Sequence, residues 1–312
     1  MRTKIVIILI LAVFSLWSCS INKLVMNLVS DALTGQGNSD VFTGDSDPEL
    51  VGDAIPFAIK MYEALLSQNP NHQGLMLMTG SLFVMYANAF VQGPSEMLPN
   101  SEWEAQEAGH MRAKALYLRG YEILKNALEL KYPGFKNADD DDTIKKYVSK
   151  FKKDDVGIIY WAVAGGLSAY SIDIMDFELS VSIPKWKAMI QRAYELDPDY
   201  GGASLNEFFI IFYASLPEMM GGDLELALHH FNLTMEKTNG QSAGAYVSYA
   251  QSICIPNQDY DTFRDLLEKA LSIDPNENVS TRLVNIISQR RARWLLDNAW
   301  IYFSFLPMPD DY

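Results

Sequence analysis

Apolar residues recur at helical spacing along nearly the whole chain from Asp53 onward, and no stretch shows the sustained alternation and hairpin turns of strands. Clusters of proline, glycine, asparagine and aspartate interrupt this pattern, ending one helix and capping the next. The pattern predicts helices over residues 53–68, 74–91, 102–131, 143–150, 155–175, 184–196, 202–216, 223–237, 243–254, 259–273 and 278–300. The predicted fold class is therefore all-α.

One helix ending occurs four times, each time with an Ala-Leu type step followed by proline. These endings are YEALLSQNPN (62–71), KNALELKYPGF (125–135), QRAYELDPDY (191–200) and EKALSIDPNE (268–277). Trp161, Ala164 and Gly165 match the first helix of a tetratricopeptide repeat, while Ala193 and Pro198 match the end of its second helix. We predict about four degenerate tetratricopeptide-like helical hairpin repeats that form a compact superhelix.

The N-terminus has the pattern of a secretory signal. Arg2 and Lys4 precede an apolar run over residues 5–17, which is too short to span a bilayer permanently and is followed by Ser18 and Cys19. We predict a lipoprotein signal peptide at 1–18, an acylated Cys19 with a Gly-, Ser- and Asp-rich tether at 19–52, and a helical repeat domain at 53–312. An ordinary signal peptide with a chance cysteine is the alternative.

The net charge and composition of the chain restrict the kinds of molecule that it can bind. The formal net charge is −14, and removal of residues 1–18 would take away Arg2 and Lys4 but no acid, which gives −16. Such a charge repels phosphate, so it argues against nucleic acid and against a polybasic membrane patch. Acyl chains on Cys19 would instead hold the protein at a membrane. The 49% of hydrophobic residues can form a large core without disulfides, and Cys254 is interpreted as a small buried hydrophobe.

Catalytic signatures are absent from the sequence. The four histidines, His72, His110, His229 and His230, do not form the HExxH spacing of a zinc site, and no phosphate-binding glycine loop occurs. The cluster at 139–142 lacks the glycine and glutamate of a calcium loop, so it is interpreted as a solvated loop that caps the next helix. We predict no catalytic residues, no metal and no cofactor.

The lipobox-like ending at Cys19, the four helix endings and the enlarged loops make the chain resemble the TatT family. These are tetratricopeptide-repeat lipoproteins associated with TRAP (tripartite ATP-independent periplasmic) transporters, and the resemblance covers residues 19 to about 300. It implies a periplasmic, membrane-anchored homo-oligomer, a trimer, that binds the TRAP solute-binding protein and binds or channels a small, partly apolar ligand. The alternative is a non-transport envelope scaffold lipoprotein that mediates protein–protein assembly.

Three uncharged segments, at 75–91, 161–171 and 208–216, are apolar on every helix face and must be covered by protein or by something bound. They either form inner helices of the superhelix or line a concave channel, and a Met and aromatic stripe is more often core. The candidate lining residues are Met78, Tyr86, Asn88, Trp161, Tyr170, Phe209, Tyr213 and Tyr246.

The C-terminal region carries a cluster of arginines followed by aromatic residues. Arg290, Arg291 and Arg293 suit the last turns of a terminal helix, where positive charge faces the negative helix end. The aromatic residues that follow either pack back on the last repeat or form a subunit contact.

Overall fold

The computed structural model describes residues 40–308. The predicted signal peptide and Cys19 therefore lie outside the described residues, as does the first part of the predicted tether. The helices are α1 (Asp40–Thr43), α2 (Pro48–Gln68), α3 (Gln73–Ala87), α4 (Gly93–Glu96), α5 (Trp103–Lys131), α6 (Asp141–Val148), α7 (Val156–Ile172), α8 (Phe177–Ser180), α9 (Ile183–Leu196), α10 (Ser204–Ser215), α11 (Leu224–Lys237), α12 (Ala243–Tyr249), α13 (Tyr260–Ser272) and α14 (Arg282–Asp297).

Two π-helical turns extend longer helices. Asn88–Gln92 joins α3 to α4, and Ala250–Cys254 continues α12. Short 3-10 turns lie at Asn100–Glu102, Phe135–Asn137, Lys153–Asp155, Glu218–Met220, Val279–Thr281 and Ala299–Ile301. Within residues 40–308 there is no strand, so the all-α prediction is confirmed for the described chain.

Every predicted helix is present, with shifted ends. The first begins at Pro48 rather than at residue 53, because Pro48 stands at its first turn and the Asp47 carboxylate accepts a hydrogen bond from the Leu50 amide at 3.0 Å. The acidic cluster behaves as predicted, since Asp140 caps α6 by accepting from the Thr143 amide at 2.9 Å. Three four-residue helices, α1, α4 and α8, lie in segments that were not predicted as helical.

The long helices α3, α5, α7 and α9 form the centre of the protein, because α5 packs against both α3 and α7, and α7 packs against α9. Glycines permit the closest crossings. A Cβ on Gly120 of α5 would lie 2.7 Å from the carbonyl oxygen of Gly80 on α3, and a Cβ on Gly166 of α7 would lie 2.5 Å from the Trp186 indole of α9. Trp186 is fully buried there, and its Nε1 donates to the Tyr121 hydroxyl at 3.2 Å.

The last helices pack together and then return to the first. Helices α12, α13 and α14 share one apolar cluster, which also covers Phe303, whose ring lies 4.9 Å from that of Phe263. Of the two alternatives for the C-terminal aromatic residues, packing on the last helices accounts for Phe303. A separate cluster joins α2 and α3 to Leu283 of α14, so the row of helices closes on itself.

The segment Gln73–Glu96 is long and apolar enough to cross a membrane by composition alone. In the structure it packs between α2 and α5. Leu75, Leu82 and Phe83 on one side and Val84 and Ala87 on another are all buried in apolar clusters. The uncharged character of residues 75–91 is therefore explained by an inner position in the helical array.

Candidate functional site and the C-terminal seam

The seam between the N-terminal helices and α14 is held by three polar contacts. Arg290 forms a two-pronged ion pair with Glu49, one arm of which spans 3.1 Å, and Arg291 Nη2 lies 2.8 Å from Glu96 Oε2. Arg282 Nη1 donates to the Gly44 carbonyl at 3.0 Å. The prediction that arginines 290 and 291 face the end of their own helix is wrong, because α14 continues to Asp297 and both side chains reach across to acidic partners.

The Glu96 end of this seam continues into the core. Gln92 Nε2 donates to Glu96 at 2.8 Å, and its Oε1 accepts from the fully buried Tyr117 hydroxyl at 2.7 Å. Gln92 is the last residue of the π-helical turn, whose extra residue re-aims side chains relative to a regular helix. A hydrogen-bonded chain thus connects Arg291 on α14 to the centre of the helical array.

Inside the closed array, a group of aromatic rings comes from α7, α10 and the loop between α9 and α10. Tyr160 lies at its centre, with ring centroids 5.2 Å from Trp161, 5.4 Å from Tyr200 and 6.1 Å from Phe208. Gly157, one turn before Tyr160, leaves room for the Tyr200 hydroxyl, which would be 3.2 Å from a Cβ at that position. These spacings are typical of edge-to-face aromatic packing.

Glu207 adds the only acidic side chain of α10 to this group. Its Oε1 accepts a hydrogen bond of 2.5 Å from the Ser242 hydroxyl, which also caps α12 through the Ala245 amide. Its Oε2 faces Gly244, where a Cβ would lie 3.9 Å away and would also approach the Ser288 hydroxyl of α14 at 3.4 Å. Burial raises the pKa of the Glu207 carboxyl, and the Ser242 hydroxyl opposes this.

The aromatic group and Glu207 share a desolvated environment. Burial raises the pKa of the Glu207 carboxyl and of the Tyr160 hydroxyl, and the Glu207 charge adds to the shift of Tyr160. Both side chains are half-buried. We call Tyr160, Trp161, Tyr200 and Phe208 the inner aromatic group, and Glu207 directly precedes Phe208 in α10.

Among the predicted lining residues, Trp161 lies in the inner aromatic group, where its indole N–H opposes the burial that raises the pKa of Tyr200. Met78 is half-buried in the apolar cluster that joins α2, α3 and α14. Tyr86 stacks on Phe90 at 6.0 Å and accepts from Arg112 at 3.4 Å. Asn88 is exposed in the π-helical turn.

The remaining predicted lining residues pack elsewhere. Phe209 and Tyr213 are 2% and 7% exposed and stack on His230, with centroid distances of 4.7 and 5.7 Å. Burial in the core, the alternative that the sequence left open, accounts for both rings. Tyr170 packs half-buried against the main core, and Tyr246 contacts Phe231 at 5.9 Å. The structure therefore does not unite the eight candidates at one surface.

Sequence reasoning missed Tyr160, Tyr200, Glu207 and Phe208. The signal that was available is Glu207, which directly precedes the uncharged run at 208–216 and stands as a single acid in the helix SLNEFFIIFYAS. A lone charge on an otherwise apolar inner helix is costly to bury, and it marks either a structural ion pair or a ligand site.

Two of the histidines have structural roles. His72 caps α3 by accepting from the Leu75 amide at 3.1 Å, and His230 Nδ1 lies 2.9 Å from Asn206 Oδ1. In the described part of the chain, no group of three or more His, Cys, Asp or Glu side chains is placed to hold a metal ion.

Two comparisons with known proteins identify related sequences. The family model described as TRAP transporter T-component matches residues 44–303. A protein of Treponema pallidum (strain Nichols), described as uncharacterized, is 35% identical over 300 residues, which cover 91% of this chain and 93% of the relative.

Proposed function

The chain belongs to the TRAP transporter T-component family, and we propose that it is a periplasmic lipoprotein that binds the solute-binding component of a TRAP transporter and binds a small, partly apolar ligand at the inner aromatic group. Family membership makes it a TRAP transporter accessory component. Such a role requires binding rather than catalysis.

The inner aromatic group is the observation that supports the ligand part of the proposal. Small-molecule sites are mostly apolar, with a few polar groups that orient the ligand. Tyr160, Tyr200 and Phe208 would supply the apolar part of such a site, and Glu207 would supply a polar group. The helices that contribute these residues would form degenerate tetratricopeptide-like repeats, whose curvature creates an inner surface of this kind.

The membrane anchor is proposed from the N-terminal pattern. Acylation of Cys19 and removal of residues 1–18 would place the helical body on the periplasmic side of a membrane, connected by the tether. Mass spectrometry of the membrane fraction tests this, with the expected result an N-terminal peptide that begins at acylated Cys19. An unmodified Cys19 in that fraction would contradict the anchor.

Surface composition supports binding of other protein chains. The segment around α8 exposes four large apolar side chains, with exposed fractions of 58% to 86%. They are Ile174, Met175, Phe177 and Val181. Exposed apolar patches mark interaction surfaces, and we propose that surfaces of this kind mediate a homotrimer or contact the solute-binding protein.

Analytical ultracentrifugation of residues 20–312, with and without a TRAP solute-binding protein from the same organism, tests the partner. The expected result is a defined oligomer that shifts to a larger complex of fixed stoichiometry. A monomer that ignores the solute-binding protein would contradict the proposal and would favour a non-transport envelope scaffold.

A further inference from the structure

The outer face of α2 carries a row of apolar side chains that is largely uncovered within residues 40–308. Leu50, Phe57 and Met61 are 59%, 76% and 36% exposed, and Ala54 and Ala64 are exposed as well. We call these five residues the α2 stripe. A contiguous exposed apolar surface marks an interaction site, because leaving it in contact with water is unfavourable.

The α2 stripe is distinct from the face that packs α2 on the body. Val51, Ile55 and Ile59 of that face are buried in the cluster that α2 shares with α3 and Leu283. The stripe residues follow one another at steps of four, three, four and three positions. This spacing forms a seam along which a second helix can pack. The α2 stripe therefore has the form of a helix-packing surface that no helix within residues 40–308 occupies.

A segment with a matching pattern lies upstream in the same chain. Residues 21–33, INKLVMNLVSDAL, place Ile21, Val25, Leu28 and Ala32 at steps of four, three and four positions. In a helix these four residues would form one apolar face. The Gly-, Ser- and Asp-rich composition of a tether begins only after residue 33.

The length of this segment and its connection to α2 also fit. A helix of 13 residues is about 20 Å long, and the α2 stripe extends over about 21 Å from Leu50 to Ala64. The segment ends seven positions before Asp40, where α1 begins, and such a connection spans at most about 25 Å. Because the chain enters α2 at Pro48, a helix over 21–33 would reach the Leu50 end of the stripe first and run antiparallel to α2.

We propose that residues 21–33 form a helix that packs antiparallel on the α2 stripe. A second copy of the chain is disfavoured as the occupant, because each copy carries a formal net charge of −14 and the two would repel each other. A segment joined by a short linker acts instead at an effective concentration on the order of millimolar. This packing does not depend on the proposed function. In the proposed lipoprotein it would place Cys19 beside the Gln68 end of α2, so that this end of the helix would face the membrane.

Hydrogen exchange of residues 20–312, with and without the replacement Phe57→Asp, tests the packing. An isolated helix of this length is marginal in water, so slow exchange of amides within 25–33 reports that the segment is packed. These amides should exchange at least about tenfold faster in Phe57→Asp than in the unchanged chain. Phe57→Asp should fold, because the side chain is 76% exposed. The matched control is Phe177→Asp in α8, where the side chain is 77% exposed, and it should leave the exchange of 25–33 unchanged.

Oxidation of Met61 by hydrogen peroxide tests the same contact from the other side. Leu28→Asp places a charge on the apolar face of the segment, so it should uncover Met61 and raise the rate of sulfoxide formation there by about threefold or more. Met175, which is 86% exposed in the segment before α8, should be oxidised at an unchanged rate. Mass spectrometry of the two peptides measures both rates.

Three results would overturn the inference. Free exchange of residues 25–33 in the unchanged chain would show that the segment is not packed. Slow exchange that persists in Phe57→Asp would show that the segment packs elsewhere. An oligomer that dissociates in Phe57→Asp, with no change in the exchange of 25–33, would show that a second copy covers the α2 stripe. If Phe57→Asp does not fold, Leu28→Asp decides the question through the oxidation rate of Met61, and an unchanged rate overturns the inference.

Discussion

Replacement of Arg291 by methionine tests whether the seam holds the array closed. The substitution keeps the apolar stem but removes the guanidinium, which lies 2.8 Å from Glu96 and 5.0 Å from the Trp294 ring centroid. The Arg291 and Glu96 side chains are 14% and 31% exposed, so the ion pair is largely shielded from water. Gln92 would remain as the hydrogen-bond donor to Glu96.

The loss of stability expected for Arg291→Met follows from these surroundings. Two unit charges whose centres are about 4 Å apart attract by about 4 kcal/mol at an effective dielectric of about 20, and desolvation offsets roughly half of this. Loss of the contact with the Trp294 ring adds about 0.5 kcal/mol. We expect Arg291→Met to lower the free energy of unfolding by about 2 to 3 kcal/mol.

Urea unfolding followed by tryptophan fluorescence measures this loss. Arg293→Met is the matched control, since Arg293 is exposed on the same helix and forms no ion pair within the described residues, and it should change stability by less than about 0.5 kcal/mol. A double-mutant cycle with Glu96→Gln should give a coupling of about 1 to 2 kcal/mol. Hydrogen exchange should rise in α1 and α2 while α5 stays protected.

Equal losses of unfolding free energy in Arg291→Met and Arg293→Met would refute the reasoning. They would show that positive charge on α14 stabilises the protein without the contact to Glu96. A coupling near zero would have the same consequence. Unchanged exchange in α1 and α2 would show that the apolar cluster around Leu283 closes the array without the ion pair.

Three further predictions concern the interior. Cys254 is 1% exposed, and burial raises the pKa of its thiol to about 12. A thiol reagent at pH 8 should therefore label Cys254 only in unfolding concentrations of urea. Labelling of Cys254 in the folded protein would contradict its buried position. Burial lowers the pKa of His230 to about 4 in the folded protein. As the pH drops below 6.5, His230 therefore becomes protonated in the unfolded chain before it does in the folded one. The free energy of unfolding should fall by up to about 3 kcal/mol between about pH 6.5 and about pH 4. His230→Gln should flatten this part of the stability curve while the exposed His229→Gln does not, as urea unfolding at several pH values would show. Lys185→Met should lower the free energy of unfolding by about 2 to 4 kcal/mol, because the buried ammonium donates to the carbonyls of Phe135, Lys136 and Ala138 at 2.6 to 3.2 Å. A loss below about 1 kcal/mol would show that water replaces the ammonium group.

Local patterns in the sequence predicted the helices well, because helix formation and helix ends depend on residues close together in the chain. The apolar periodicity, the proline endings and the capping aspartate at Asp140 all act within a few residues. The π-helical turn at Asn88–Gln92 was not predicted, since a π turn needs an inserted residue that only the packing around Tyr117 and Glu96 accommodates. The early start at Pro48 was missed because the segment before residue 53 has the composition of a tether.

The structure separates the residues that the sequence suggested for a ligand site. Among the uncharged inner helices, Trp161 does belong to the inner aromatic group, yet Phe209 turns into the core and packs on His230. One helical position separates Phe208, in the inner aromatic group, from Phe209, which packs on His230. Periodicity identifies an apolar helix but cannot say which face meets a neighbour when no face is polar.

The sequence by itself determined the helices, their boundaries to within a few residues, the acidic character and the resemblance to a transporter-associated family, because these depend on composition and short-range spacing. Only the tertiary structure decided that α14 returns to α2, that Arg290 and Arg291 pair with Glu49 and Glu96, and that Glu207 accepts a hydrogen bond from Ser242 of the following helix hairpin. Arg290 and Glu49 are separated by 241 positions. Contacts over such distances depend on the summed rotation between successive helices, a quantity that no local pattern carries.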